Sequence, residues 1–392
     1  MKNKIVTYLC FLINIVFGMV LTSYSPMLPS ISRTFSLTLT QSGFIFTANF
    51  IGFVAFILVG GILADRIGKK TVLVIATGGF AVSLIIFPFS NSFIIACLMM
   101  AFIGGFGGII ETVTNAFISD LNPEKASFYV NMTQIYFGIG AVIGPIIAGI
   151  VVGIGAKWQL FYFVLGLVSV VLMVLMAIEK VPNRYSDDSI SWPIFKGLLM
   201  DSRFLLICLC MFLYTGSEIG SWGWMTTFLK GNMGFGIVKS GIAVAAFWLG
   251  MTISRFICGY LALIYKDKYI IMILAGFSSL FIFVSGFELG EAMMWFVIIG
   301  LGFSFSSQWP LIATFGSRDY PASTGTVFAL LVGSGGLGGT IIPFVMGLIG
   351  DKYNTHIAAM SPTFFFVAIV VIFAFIDKPR KRLLGHQRGN VV

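Results

Sequence analysis

Gly138-Ile-Gly140-Ala-Val-Ile-Gly-Pro145-Ile-Ile-Ala-Gly149 returns 198 residues later as Gly336-Leu-Gly338-Gly-Thr-Ile-Ile-Pro343-Phe-Val-Met-Gly347. The offset holds far outside that block, without a gap. Gly18 falls on Gly216, Ser42-Gly43 on Ser240-Gly241, Gly52 on Gly250, Lys70 on Lys268, Gly104 on Gly302 and Pro123 on Pro321. Matches of Gly to Gly are cheap in a chain with 45 glycines, but one constant offset across five apolar runs is not. The chain therefore reads as two copies of one design. Parallel halves related by an axis along the membrane normal are a transporter architecture, with the substrate site between them at mid-depth. The Gly-x-x-x-Gly and Gly-Pro spacings let helix backbones approach and bend. Close packing alone explains any one of these glycines equally well.

Composition agrees. The 392 residues are 58% hydrophobic and only 10% charged, against about 25% charged in a soluble domain. Runs of about 20 apolar residues give twelve spans, six between residues 5 and 179 and six between 204 and 376. The expected fold is thus all-α: a polytopic membrane protein of two pseudo-symmetric six-helix bundles. The divisions are 1–180 for the first bundle, 181–203 for a polar linker, 204–377 for the second bundle and 378–392 for a basic tail. The net charge of +9 does not point to nucleic acid, because it is distributed by membrane side. Lys2, Lys4, Arg66, Lys69, Lys70, Lys196, Lys266, Lys268, Arg318 and the tail fall on the N-terminal side. Arg33, Lys157, Lys230, Lys239 and Lys352 fall opposite. The positive-inside rule puts both termini in the cytoplasm and the tail against anionic lipid headgroups. The first apolar run lacks a small-residue cleavage site and reads as a span, not a signal peptide.

Glu111 is the only charged residue between Lys70 and Asp120. A carboxylate in hydrocarbon costs roughly 2.5 kcal/mol or more, so it marks a place where a proton, ion or polar substrate is handled. Glu218 and Arg255 are the other charges within spans that face this question. Pairing of Glu111 with Arg255 is the plain structural alternative.

Gly61-Ile-Leu-Ala-Asp65-Arg66-Ile-Gly68-Lys69-Lys70 follows the second span. It fits Gly-x-x-x-Asp-Arg-x-Gly-(Arg/Lys)-(Arg/Lys), and here the chain resembles the major facilitator superfamily. Asp65 at a helix end suits a bond to a basic residue or to the positive N-terminus of a neighbouring helix. Such a bond made in one access state only is a latch. In the second half Tyr265-Lys266-Asp267-Lys268 lacks the pattern.

The fourth and fifth spans, from Gly104 through Glu111 and Asn115 to Asn131-x-x-Gln134-x-x-Phe137-Gly138-Ile-Gly140-Ala141, resemble the fucose–galactose–glucose symporter branch. Tyr214-Thr-Gly-Ser-Glu218-x-Gly-Ser221-Trp222 and Phe247-Trp248-x-Gly250 resemble its seventh and eighth helices. The resemblance implies a monosaccharide carrier in the plasma membrane, coupled to a cation and working as a monomer. Helical spacing places Glu111 with Asn115, Asn131 with Gln134, and Ser304 with Ser307 and Gln308 on common faces. Amide, hydroxyl and indole groups suit a sugar's hydroxyls and its C–H face. The candidate substrate residues are Asn14, Asn49, Asn115, Asn131, Gln134, Trp222, Trp248 and Gln308; the coupling residues are Glu111, Glu218 and Arg255. An interhelical hydrogen bond worth about 0.6 kcal/mol is the alternative for each isolated amide. The branch's proton-coupled carriers have an acid on the first helix, where this chain has only Asn14. Glu218 could stand in, Na⁺ could couple, or transport could be uncoupled.

A drug–proton antiporter is a rival, since Gly140-x₃-Gly144-Pro145-x₃-Gly149 resembles that group's fifth-helix motif. Those carriers have an Arg before the glycine pair of the fourth span, where this chain has Met99, Met100 and Ala101. A non-transporting sensor or a lipid-handling protein on the same fold is another. No nucleophile–base pair appears, so an enzyme is not expected. No cofactor and no metal site are expected: the five cysteines all lie in spans without ligand spacing, and His356 and His386 lie in a loop and the tail.

Overall fold

The computed structural model describes residues 2–122, 126–179, 192–287, 289–318 and 324–376. The first six helices are α1 (Lys2–Phe35), α2 (Leu39–Ile67), α3 (Lys69–Ile86), α4 (Phe93–Leu121), α5 (Ala126–Gly153) and α6 (Trp158–Ile178). A short α7 (Trp192–Leu199) lies within the expected linker. Then follow α8 (Ser202–Met233), α9 (Ile237–Ile264), α10 (Asp267–Ser285), α11 (Glu291–Phe305), α12 (Gln308–Ser317), α13 (Thr324–Lys352), α14 (Thr355–Met360) and α15 (Pro362–Phe375). These make twelve spans long and apolar enough to cross a membrane. No strand occurs among the described residues. The tail and positions 181–191 of the linker lie outside them, as do the side chains of Asp65 and Asn131.

The tenth span, expected as one helix, is broken, and a short helix extends the start of the twelfth. The tenth is α11 plus α12, interrupted at Ser306-Ser307, because Pro310 has no N–H to donate back to the preceding turn. The twelfth is α14 plus α15, divided at Ser361 with Pro362 in the first turn of α15, where its missing N–H costs nothing.

The repeat is visible in the packing. In the first bundle α1 packs on α5, α2 on α4 and α3 on α6; in the second α8 packs on α13, α9 on α11 and α10 on α15. The bundles meet along α2 with α13 and α5 with α9. The opening glycine–proline block builds those two seams. Gly43 lies against the Pro343 carbonyl across the seam, and Gly241, its repeat partner, lies against the Pro145 carbonyl. Gly149 faces Ile237, as Gly347 faces Leu39. Within the bundles, Gly104 touches the backbone of Asn49 on α2, and Gly302 touches that of Phe247 on α9, again one offset apart. Helix crossings this close leave no room for a Cβ, which is why glycine recurs at these positions.

The second-half loop lacks the motif but keeps a charge pair. Lys69 pairs with Asp120 at 2.6 Å. At the same repeat positions Asp267 pairs with Arg318 at 2.8 Å. The clamp between the third and fourth spans of each bundle is kept with its charges exchanged. Lys70 donates to the Ala177 carbonyl at 3.0 Å and to that of Glu179, and Lys268 donates to Ala374 and Ile376 at 3.2 and 3.3 Å. In both bundles a lysine thus caps the carbonyl end of the last helix, where cations are favoured.

Candidate functional site

A cavity of about 730 Å³ lies between the bundles, lined by α1, α2, α4 and α5 on one side and α8, α9, α12 and α13 on the other. Its two ends differ. Call the face carrying the Gly68 turn the loop face and the opposite one the far face. Toward the far face the cavity ends in a chain of aromatic rings that crosses the bundle interface twice. Tyr24 meets Phe46 edge-on at 4.3 Å, Phe46 meets Trp222 at 6.1 Å, Trp222 meets Trp248 at 6.1 Å, and Trp248 meets Phe137 at 5.8 Å. Trp222 is 1% exposed and Tyr24 3%, so this end is shut. Toward the loop face the lining continues through Arg255, Cys258, Ala262 and Thr314, with Arg255 and Thr314 exposed.

Glu111, Glu218 and Arg255 all line this cavity. Glu111 and Glu218 are half-buried, and Arg255 is exposed within the opening. The structural alternative of a Glu111–Arg255 bond is not formed: among the described residues no ion pair within 4.0 Å includes any of the three. Arg255 is nonetheless near enough for its charge to act on both carboxyls. The Tyr214 hydroxyl, one turn before Glu218, donates to the Phe305 carbonyl at 2.8 Å and helps fix that wall.

The amides divide. Asn49, Asn115 and Gln134 line the cavity. Asn49 donates to the Met100 carbonyl at 3.1 Å and Asn115 accepts from the Thr133 hydroxyl at 2.5 Å; among the described residues the other end of each amide has no partner. Asn14 and Gln308 are absent from the lining. Asn14 donates to Cys10 one turn back on its own helix at 2.9 Å. Gln308 is fully buried and donates to Ser278 and to the Ser304 carbonyl, both at 3.0 Å, which pins α12 to α10. The break before α12 turns Gln308 inward and presents its neighbour Trp309, the repeat counterpart of Glu111, to the cavity. Trp222 and Trp248 line it too, and their buried indole N–H groups have no partner among the described residues. Tyr24, Phe46, Phe53 and Thr215 also belong to the wall, although no charge or amide singled them out in the sequence. Only helical stripes could have found them: Phe46 and Phe53 with Phe50, Thr215 with Glu218, and Tyr24 with Val20 and Phe17.

Around the Gly61–Lys70 motif, Gly68 takes φ 91° and ψ 139°, a left-handed turn that glycine alone enters freely. Arg66 is exposed, and Lys69 and Lys70 bond within their own bundle. A Cβ at Gly61 would meet nothing within 4 Å.

Two pseudo-symmetric helix bundles closed at one end around a charged, aromatic cavity define a membrane carrier. A profile of the Major Facilitator Superfamily matches residues 10–343, and the chain belongs to that superfamily. Its members are transporters, not enzymes. The chain is 24% identical over 371 residues to a glucose/galactose transporter of Brucella abortus, covering 89% of this chain and 87% of that protein. It is 23% identical over 388 residues to a TsgA homolog of Buchnera aphidicola, covering 97% and 98%. The fold matches the solved nucleoside transporter NupG with a TM-score of 0.80 at 16% identity, covering 97% of this chain and 100% of that one.

Proposed function

We propose that this protein is a secondary active transporter that moves a monosaccharide across the plasma membrane by alternating access, driven by a cation, H⁺, bound at Glu111. The observation that carries this reading is the Glu111–Glu218–Arg255 set, joined by no ion pair among the described residues, inside a cavity between the two bundles. A carboxyl without a fixed salt-bridge partner is free to exchange a proton with the cavity. Glu218, in the same cavity, supplies the second acid that the first helix lacks. Asn49, Asn115 and Gln134 bind sugar hydroxyls, and Trp222, Trp248 and Trp309 face its C–H side. The relatives named as glucose/galactose and glucose/mannose transporters support the substrate class. With the loop face in the cytoplasm, as the lysines and arginines require, the closed far end makes this the inward-facing arrangement. All elements of the cavity come from one chain, so a monomer suffices.

The test is hexose uptake into vesicles reconstituted with the purified protein, under an imposed pH gradient and then a Na⁺ gradient. Glu111→Gln is expected to abolish accumulation while leaving hexose exchange. Accumulation that survives Glu111→Gln would sink the assignment, and dependence on Na⁺ alone would replace the coupling ion.

A further inference from the structure

At the far face one carboxylate joins the two halves. Asp351, at the end of α13, accepts from the backbone N–H of Leu39 at 2.9 Å and of Thr40 at 2.7 Å, and from the Thr40 hydroxyl at 2.5 Å. Leu39 and Thr40 are the first residues of α2, so Asp351 in the second bundle takes up free N–H groups of a helix in the first. The next N–H, Gln41, goes to the Thr38 hydroxyl at 3.2 Å, and Gln41 returns a bond to the Thr38 N–H at 3.0 Å. A negative charge at a helix N-terminus is favoured by its dipole, and charge-assisted bonds are the strong ones.

The rest of the α2–α13 seam is a row of close contacts. Gly43 lies on Pro343, the Thr47 hydroxyl donates to the Thr340 carbonyl at 2.6 Å, and Val54 lies on Gly336. Leu39 is fifteen residues from Val54, or roughly 22 Å along the helix. Rocking the bundles about the Val54–Gly336 contact by about 10° would move the Asp351 end by roughly 4 Å. That breaks every bond Asp351 makes, and the displacement falls along the seam to about 2 Å at Thr47 and to none at the pivot.

Closing this face does not itself require such a charge. The symmetry-related seam, α5 against α9, has Gly153 at the repeat position of Asp351, and α9 is preceded by Gly236, which offers no side-chain cap. Gly153 simply packs near Val238. The fold thus shuts one seam by packing alone and adds a carboxylate to the other.

We infer that Asp351 is a gating residue: its bonds to the start of α2 latch the far face shut and set the balance between the two access states. The readout needs no substrate. Thr112, exposed in the cavity, is changed to Cys in an otherwise native chain, and a membrane-impermeant maleimide is applied separately to each face of reconstituted vesicles. The native cysteines are buried, and the chain lacking Thr112→Cys gives their background. Asp351→Asn is expected to raise labelling from the far face tenfold or more. Thr40→Val, which removes one bond and keeps the backbone ones, should raise it by a smaller factor. The two together should add little beyond Asp351→Asn. Loop-face labelling confirms that each variant is folded, and should Asp351→Asn not fold, Thr40→Val alone decides. Far-face labelling unchanged in a folded variant, even one that melts at lower temperature, would make Asp351 a helix cap and overturn the latch.

Discussion

The repeated glycines make a quantitative claim about where this fold tolerates no added atom. A Cβ at Gly104 would strike the Asn49 carbonyl oxygen and lie 2.7 Å from its carbon; at Gly302 it would strike the Phe247 carbonyl and lie 2.8 Å from that carbon. Carbon atoms rest about 3.5–4.0 Å apart, so each helix pair must separate by about 1 Å. A gap of that size forfeits up to half of each dispersion contact along the crossing, and overpacking typically costs about 1–3 kcal/mol. Gly104→Ala and Gly302→Ala should each cost about 3 kcal/mol and lower the melting temperature by roughly 6–9 °C, taking about 2–3 °C per kcal/mol in a chain this long. Gly61→Ala has nothing within 4 Å and should be neutral or gain up to about 1 kcal/mol of helix propensity. All five cysteines are buried, so a thiol-reactive fluorophore reports unfolding of detergent-purified protein during a thermal ramp. The reasoning fails if the two interior variants melt with the wild type, or if Gly61→Ala falls beside them. A Gly61→Ala protein that is stable yet slow in transport would locate that glycine's role in the opposite access state.

The exchanged clamps predict rescue. Asp120→Asn should cost about 1–2 kcal/mol, between the values for exposed and buried pairs. Combining Asp120→Lys with Lys69→Asp, the polarity already used by Asp267 and Arg318, should restore most of the melting temperature; no recovery would mean that the clamps are not equivalent. Gln308 and Trp309 should separate stability from binding. Gln308→Ala removes the bonds to Ser278 and Ser304 and should cost about 1–3 kcal/mol with hexose affinity kept. Trp309→Ala should weaken hexose binding with little change in melting, and a reversed pattern would relocate the wall of the cavity.

Twelve spans, a two-bundle division, the superfamily and the isolation of Glu111 in an apolar span are all legible in the sequence. These are one-dimensional facts: twenty apolar residues cross a bilayer whatever their neighbours, and a constant offset needs no coordinates to be seen. The sequence also led to Asn49, Asn115, Gln134, Trp222 and Trp248, all of which line the cavity. It did not separate them from Asn14 and Gln308, which bond inside their own bundle. Successive residues on a helix point about 100° apart, so a small rotation decides whether Gln308 or Trp309 meets the cavity. That rotation is set by packing against other helices and, here, by the break ahead of Pro310. The exchange of Lys69–Asp120 for Asp267–Arg318 was likewise hidden, because a motif records residue identity and a clamp needs only opposite charges at touching positions. Which end of the cavity is closed, and that Asp351 holds it, lie further still from the sequence. The bonds join residues more than three hundred positions apart, and only the tertiary structure brings the end of one helix to the start of the other.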